Sequence, residues 1–166
     1  FGDTTVSVRQ RGALSNSVRA LSGGGYDGSS ASDRIDAVTV SSTGNATDFG
    51  NMIAAVFGSP SGISDQTRGI FAGGEVPSNT DVIQYVTISQ EGNMVDFGNL
   101  TASKNTVSGG GSSTRGIFAG GNPGSKTNTI EFITMSTTGN ATDFGDLTVE
   151  KRNSGKGQSS NATRHI

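Results

Sequence analysis

Residue types capable of catalysis are few in this sequence, and most of them recur with a regular spacing. Asp-Phe-Gly occurs three times, beginning at Asp48, Asp96 and Asp143. A carboxylate ahead of Phe-Gly can hold magnesium for phosphoryl transfer, but only together with a catalytic loop and a strand lysine, and neither motif is present. Three evenly spaced copies favour a structural role. The phenylalanine is expected to be buried in an outer strand, the glycine to turn the chain and the aspartate to cap that turn.

The other catalytic candidates also fail on their context. Residues 120–127 (GGNPGSKT) approach a phosphate-binding loop, but Gly and Lys are not adjacent and a strand, not a helix, is expected to follow. His165 is the only histidine and replaces a repeated glycine, so the sequence supplies no positioned imidazole for a Ser-His-Asp triad. Cysteine is absent, and no spacing suits a metal site. The sequence therefore predicts no enzyme, no metal and no cofactor.

Composition predicts an all-β protein. The 166 residues include 26 glycines, and only 16% are charged. Glycine, threonine and asparagine disfavour long helices, whereas they suit short strands joined by tight turns. The net charge of −2 offers no basic surface for nucleic acid, and no apolar run is long enough for membrane insertion. No signal peptide is visible.

A repeat of 47 or 48 residues organises the chain as one domain, residues 1–166. TRGIFAGG occurs at 67–74 and again at 114–121, and Phe-Gly begins at positions 1, 49, 97 and 144. The division is into units 1–48, 49–96 and 97–143 and a partial unit 144–166. A fixed period of this length is typical of repeat architectures in which each unit is one supersecondary element.

Each unit has the same order of segments. A basic residue (Arg11, Lys104 or Arg152) precedes a Gly/Ser-rich spacer, after which an arginine leads an apolar strand into paired glycines. A variable polar loop, an apolar strand such as VIQYVTI, a Gly-Asn turn and the Phe-Gly segment follow. Four short strands per unit suit a propeller blade or a β-solenoid coil, and the long period favours the propeller.

This order resembles the Kelch-type repeat. In that family a double glycine closes the second strand, a tyrosine lies in the third and a tryptophan in the fourth. The double glycines begin at Gly24, Gly73 and Gly120. Tyr85 and Phe132 match the tyrosine of the third strand, and Ala37 departs from it. Phe49, Phe97 and Phe144 stand at the tryptophan position of the fourth strand. The sequences TGNATDFG and TRGIFAGG also resemble repeats in virion proteins of marine bacteriophages. The resemblances imply a Kelch-like propeller of about three and a half four-stranded blades.

Three and a half blades do not close a ring, since closure takes about four to eight. We expect either further blades in a longer parent protein, which a chain opening at Phe1 without a methionine also suggests, or completion by another copy of the chain. Apolar blade faces would otherwise be exposed.

Four arginines recur once per unit, at Arg19, Arg68, Arg115 and Arg164. One interpretation is functional, with the arginines ringing a channel and binding anions. The favoured interpretation is structural, with each pairing with an aspartate such as Asp48 or Asp96 or donating to carbonyls of the next blade.

The variable loops after the double glycines are the predicted binding surface, because the Gly-Asn turns barely change and indicate scaffold. By resemblance to Kelch propellers, these loops share one face with the connections after Phe-Gly, which offer Arg9, Lys104, Lys151 and Arg152. The candidate ligand-binding residues are Tyr26, Asp27, Glu75, Asn79, Asn122 and Lys126. Small polar side chains with an occasional aromatic suit sugars or protein surfaces.

These observations lead to a hypothesis of function. The chain is expected to be a non-enzymatic propeller segment of a phage tail fibre or similar virion appendage, virion-borne or extracellular, contacting a host surface glycan or protein and other virion proteins, with homo-oligomerisation possible. The alternative is a protein–protein interaction adaptor of the intracellular Kelch kind. A carbohydrate oxidase on this fold needs copper held by tyrosine and histidine, and two tyrosines with one histidine do not supply that set.

Overall fold

The computed structural model describes residues 2–152, which form twelve β-strands and no helix. The first four strands are β1 (Gly12–Ser15), β2 (Arg19–Gly23), β3 (Ser32–Thr39) and β4 (Thr47–Val56). The next four are β5 (Ser61–Ser64), β6 (Arg68–Ala72), β7 (Val82–Thr87) and β8 (Val95–Asn99). The last four are β9 (Ser108–Gly111), β10 (Arg115–Ala119), β11 (Thr127–Thr134) and β12 (Thr142–Lys151). Phe1, Arg164, His165 and the rest of the partial unit from position 153 lie outside the described residues.

The strands form three antiparallel four-stranded sheets, in which spatial order follows sequence order. The all-β class is therefore confirmed, and so is the position of TRGIFAGG, which supplies the second strands β6 and β10. The double glycines follow the second strands β2, β6 and β10, and all six glycines adopt positive φ. No helix long and apolar enough to span a membrane occurs in residues 2–152.

The Phe-Gly pair of each repeat forms a β-bulge inside the fourth strand. In the first sheet Asp48 pairs with Asp36. Gly50 pairs with Ile35, which leaves Phe49 without a partner of its own. The other two sheets shift register at the same place. The prediction that this glycine turns the chain is wrong, because the strand continues beyond a bulge that positive φ at glycine permits.

The Gly-Asn turns of the second and third sheets each hold the fourth strand of the preceding sheet. Asn93 Oδ1 accepts the Asn51 N–H at 2.9 Å, and the Met94 N–H donates to the Asn51 carbonyl at 2.8 Å. A Cβ on Gly50 would overlap the Gly92 carbonyl, so close approach requires glycine there. The same two bonds join two other turns to preceding segments, Asn45 and Ala46 to Asp3 and Asn140 and Ala141 to Asn99. We call this arrangement the Gly-Asn clasp, and it explains why these turns barely change.

The Gly/Ser-rich segments interpreted as spacers are in fact the first strands β1, β5 and β9. These three strands lie against one another in order. A Cβ on Gly62 would overlap the Ala13 carbonyl, and one on Gly109 would overlap the Ser61 hydroxyl. Small residues are therefore needed because neighbouring first strands approach closely, and this requirement outweighs their poor β-propensity.

Two hydrophobic cores lie between consecutive sheets. The first joins side chains of β1–β4, such as Leu21 and Phe49, to Phe71 and Met94 of the second sheet. The second core joins the second and third sheets in the same way, with Phe97 replacing Phe49. The first and second sheets thus each bury one face against the next sheet.

Candidate functional site

Two sets of loops meet at one end of the three sheets. Because consecutive strands alternate in direction, the β2–β3 loop of a sheet lies at the same end as the chain that enters its first strand. Backbone bridges join these loops in three pairs: Arg9 with Tyr26, Phe57 with Glu75, and Asn105 with Asn122. We call these six residues the loop row. The two loop sets that the Kelch resemblance places on one face are therefore adjacent in the structure.

An aromatic and cationic group forms the first part of the loop row. The Tyr26 ring lies 5.4 Å from the Phe57 ring between centroids, and the Arg9 guanidinium carbon is 5.1 Å from the Tyr26 centroid. Tyr26 and Phe57 are partly buried, whereas Arg9 is exposed. Contact between Tyr26 and Phe57 links the first repeat to the second.

Amide and carboxylate groups form the second part. Asn105 Nδ2 donates to Glu75 Oε2 at 2.6 Å, linking the second repeat to the third. Asn79 Nδ2 donates to the Asn122 carbonyl at 2.7 Å and makes a second such link. Glu75, Asn79 and Asn122 are partly exposed. The predicted residues Tyr26, Glu75, Asn79 and Asn122 therefore lie along one row, although part of their hydrogen-bonding capacity is already used.

Asp27 and Lys126 lie in loops that extend from this row. Asp27 Oδ1 accepts the N–H groups of Ser29 and Ser30, both at 2.7 Å, and the two hydroxyls also donate to this carboxylate. The Ser30 N–H, followed by that of Ser29, lowers the pKa of Asp27 below its ordinary value. Lys126 is exposed, and its Nζ is 3.8 Å from Glu150 Oε2. An exposed pair at that distance leaves the ammonium group accessible.

An open cavity of about 400 Å³ adjoins Asp27 on the first sheet, and sequence reasoning did not find it. It is lined by Val6, Val8, Asp27, Ser32, Asp33, Arg34, Asp48 and Asn51. Arg34 Nη2 donates to Asp48 Oδ2 at 3.1 Å, and Arg34 Nε is 3.6 Å from Asp36 Oδ1. The wall of the cavity thus contains three carboxylates, an amide and one guanidinium. The Asp27 carboxylate is hydrogen-bonded within its own loop, and that of Asp48 is paired with Arg34. The irregular spacing of these residues gives no sequence signal.

Two of the recurrent arginines, Arg19 and Arg68, have the structural role that was favoured, whereas Arg164 lies outside the described residues. Arg19 Nη1 donates to the Ile88 carbonyl at 3.3 Å, and Arg68 Nη1 donates to the Met135 carbonyl at 2.8 Å. Both acceptors belong to the next sheet. The alternative of pairing with Asp48 is wrong, because that carboxylate binds Arg34.

The same arginines also lie over aromatic rings. Arg68 lies over the Tyr85 ring at 5.0 Å and Arg115 over the Phe132 ring at 4.5 Å. Ala37 departs from this pattern at the equivalent position in the first sheet, and there Arg19 lies 6.0 Å from the Phe49 ring instead.

Lys104, one of the cations offered to the loop face, is not available to a ligand. Its side chain is 1% exposed and forms an ion pair with Glu131, which is 0% exposed. Glu131 Oε2 also accepts the Thr101 N–H at 2.6 Å. The lysine directly precedes Asn105 of the loop row, but its side chain is buried against the third strand of the third sheet.

Glu131 belongs to a set of buried polar residues that sequence reasoning missed, one in each third strand: Asp36, Gln84 and Glu131. Asp36 binds Thr5 and Arg11, the latter at 2.6 Å, and Gln84 Oε1 accepts the Ile53 N–H at 2.8 Å. Each of these three side chains therefore accepts a hydrogen bond from the residue that lies four positions after the phenylalanine of a Phe-Gly pair, namely Thr5, Ile53 or Thr101. Aligning the three units in register would have shown a polar residue at one position of an otherwise apolar strand.

The search for similar proteins adds no family. No protein-family model matches the chain, and a search among curated proteins finds no match. Within residues 2–152 no three His, Cys, Asp or Glu side chains are grouped so that they could hold a metal ion.

Proposed function

We propose that this chain is a non-enzymatic segment of a Kelch-like β-propeller, with about three and a half blades. As part of a phage tail fibre or another virion appendage, it would bind a host surface glycan or protein. Its setting would be the virion or the extracellular space. The observation that carries the proposal is the loop row. Each variable loop is bridged there to the segment that enters its own sheet, and the contacts of Tyr26 with Phe57 and of Asn105 with Glu75 join neighbouring repeats.

The propeller arrangement is supported by the way in which the sheets meet. The first strands β1, β5 and β9 are neighbours, and the Gly-Asn clasp and the buried core recur between consecutive sheets. Repetition of one interface rotates each sheet by the same operation relative to the previous one. A closed or partial ring is the result when that rotation occurs about one axis.

A glycan suits the chemistry of this face. Sugars carry many hydroxyl groups, which hydrogen-bond to carboxylates, amides and guanidinium groups. The cavity beside Asp27 presents all three, and its volume of about 400 Å³ lies within the range of about 300–1,000 Å³ usual for small-ligand sites. We assign the sugar to this cavity, with Tyr26 and Lys126 as further contacts along the face.

The test is a binding screen of the purified chain against bacterial surface glycans and intact host cells. Asp33 lines the cavity, and Asp33→Asn is expected to lower glycan affinity about tenfold or more, because a hydrogen bond to a charged group is lost. Thr138→Ala is the matched control, since Thr138 is exposed on a turn at the opposite end of the sheets. Its affinity should equal that of the wild type.

The adaptor hypothesis is the competing function. No binding to any glycan or host cell, together with a specific intracellular protein partner, would replace the virion proposal by the adaptor. Equal losses for Asp33→Asn and Thr138→Ala would instead remove the cavity from the proposal.

A further inference from the structure

The third sheet leaves exposed the face that the first two sheets bury. Phe49 and Phe97 are each 2% exposed because the following sheet covers them, whereas Phe144 is 51% exposed. Similarly, Gly50 and Gly98 lie against the Gly-Asn turns of the next sheets, but no atom lies within 4 Å of a Cβ built on Gly145. The described residues therefore leave one copy of the repeated interface without its second half.

The polar groups of this face also lack the partners of their equivalents. Arg19 and Arg68 donate to carbonyl groups of the following sheet. Among residues 2–152, the Arg115 guanidinium contacts the rings of Phe132 and Phe144 and no such carbonyl. A single occupant that supplies a carbonyl group and a Gly-Asn turn would complete both contacts.

We propose that the first sheet of a second copy of this chain docks on this face, head to tail. The matching group is already present on that sheet. Its Gly-Asn turn, Gly44-Asn45, clasps Asp3: Asn45 Oδ1 accepts the Asp3 N–H at 3.0 Å, and the Ala46 N–H donates to the Asp3 carbonyl at 2.9 Å. Phe1-Gly2-Asp3 and Phe144-Gly145-Asp146 have the same sequence, so this turn accepts either segment.

In the docked state Asp146 of one copy takes the place of Asp3 of the other. Asn45 Oδ1 then accepts the Asp146 N–H, and Arg115 donates to the Val40 carbonyl, which is equivalent to that of Ile88. Val40 is 43% exposed in the single chain, and docking buries it beside Phe144. The contact is heterologous, so it repeats from copy to copy until a ring closes or a filament grows.

Cysteine cross-linking tests this geometry, because the chain has no cysteine of its own. In the variant Asn45→Cys, Asp146→Cys, mild oxidation is expected to give covalent dimers and higher species on a non-reducing gel. The positive control is Asn51→Cys, Asn93→Cys, which places the same pair inside one chain and should oxidise without changing the mass. Asn45→Cys, Val95→Cys is the negative control, since Val95 lies on the middle sheet, which takes no part in the proposed contact between copies.

Sedimentation of the wild type measures the association itself. We expect concentration-dependent oligomers, with the dissociation constant raised about tenfold or more by Arg115→Ala, because a charged hydrogen bond is lost. Val95→Ser, at a side chain that is 56% exposed elsewhere, should leave it unchanged. A wild type that stays monomeric at all concentrations, or a 45–146 pair that fails to cross-link between chains while the 51–93 pair oxidises, would overturn the inference. Neither result depends on the glycan, so the two proposals fail separately.

Discussion

Replacing Lys104 by methionine tests the buried ion pair that joins the β8–β9 connection to the third sheet. The side chains of Lys104 and Glu131 are 1% and 0% exposed, so the carboxylate is in a buried position when the ammonium group is removed. Breaking one partner of a buried pair costs about 3–5 kcal/mol, since the remaining charge stays uncompensated. The Lys104→Met protein should lose that free energy of unfolding.

The middle sheet indicates how the loss can be reversed. There the equivalent positions hold Val56 and Gln84, and Gln84 Oε1 accepts the Ile53 N–H at 2.8 Å. The double variant Lys104→Met, Glu131→Gln copies this neutral arrangement while keeping the Thr101 N–H paired. Its stability should return to within about 1 kcal/mol of the wild type, because a neutral hydrogen bond replaces the ion pair.

Urea unfolding of the wild type, both single variants and the double variant completes the cycle. The account requires strong non-additivity, with the double variant more stable than Lys104→Met alone. A loss below about 1 kcal/mol for Lys104→Met, or a double variant as unstable as the sum of the single ones, would refute the reasoning that the pair is buried and coupled.

Three further predictions follow from single positions. Thr106 has φ +53, and Gly58 occupies the equivalent place in the second sheet with φ +71. In urea unfolding, Thr106→Gly should therefore stabilise the protein by about 0.5–1 kcal/mol, and Gly58→Thr should destabilise it by more than about 1 kcal/mol. Destabilisation by Thr106→Gly together with stabilisation by Gly58→Thr would contradict these backbone conformations. Arg68→Ala should lower the free energy of unfolding by about 2 kcal/mol, because a charged hydrogen bond and a ring contact are lost. Arg115→Ala in the dilute monomer should lower it by less than half as much, because only ring contacts are lost. Equal losses would show that the Arg68 hydrogen bond to the next sheet adds no stability. By carbon-detected NMR, the pKa of Asp27 should lie below the usual value of about 3.9. Because the pKa is lowered in the folded state, the ionised carboxylate stabilises the loop above the usual pKa, and this stabilisation is lost as the pH falls through the lowered pKa. A pKa at the usual value would show that the Ser29 and Ser30 bonds do not form.

Much of the fold follows from the sequence because the same local pattern is written several times. The β-branched third strands, the double glycines and the Gly-Asn turns each have a local physical cause, so their positions are predictable. The first strand Ser108–Gly111 (SGGG) was missed because its glycines are selected by the close approach of neighbouring strands, which no local pattern reveals. The bulge at Phe49 was read as a turn because both need glycine at positive φ.

The candidate site is less predictable, because its residues come from several repeats. The two loop sets were placed on one face through the resemblance to Kelch propellers. The cavity beside Asp27 combines Val6, Arg34 and Asn51 from different segments, and only the folded chain brings them together. Lys104 was misassigned to the surface because its acidic partner, Glu131, is distant in sequence and lies within an apolar strand.

The central claim is that the sheets fan outward from neighbouring first strands, as blades of a propeller do. Electron–electron distances between spin labels test this most directly, with one inner pair at Ala13 and Ser112 and one outer pair at Asp48 and Asp143. A radial arrangement predicts a clearly longer distance for the outer pair than for the inner pair. Equal distances would indicate sheets stacked in parallel and would contradict the account.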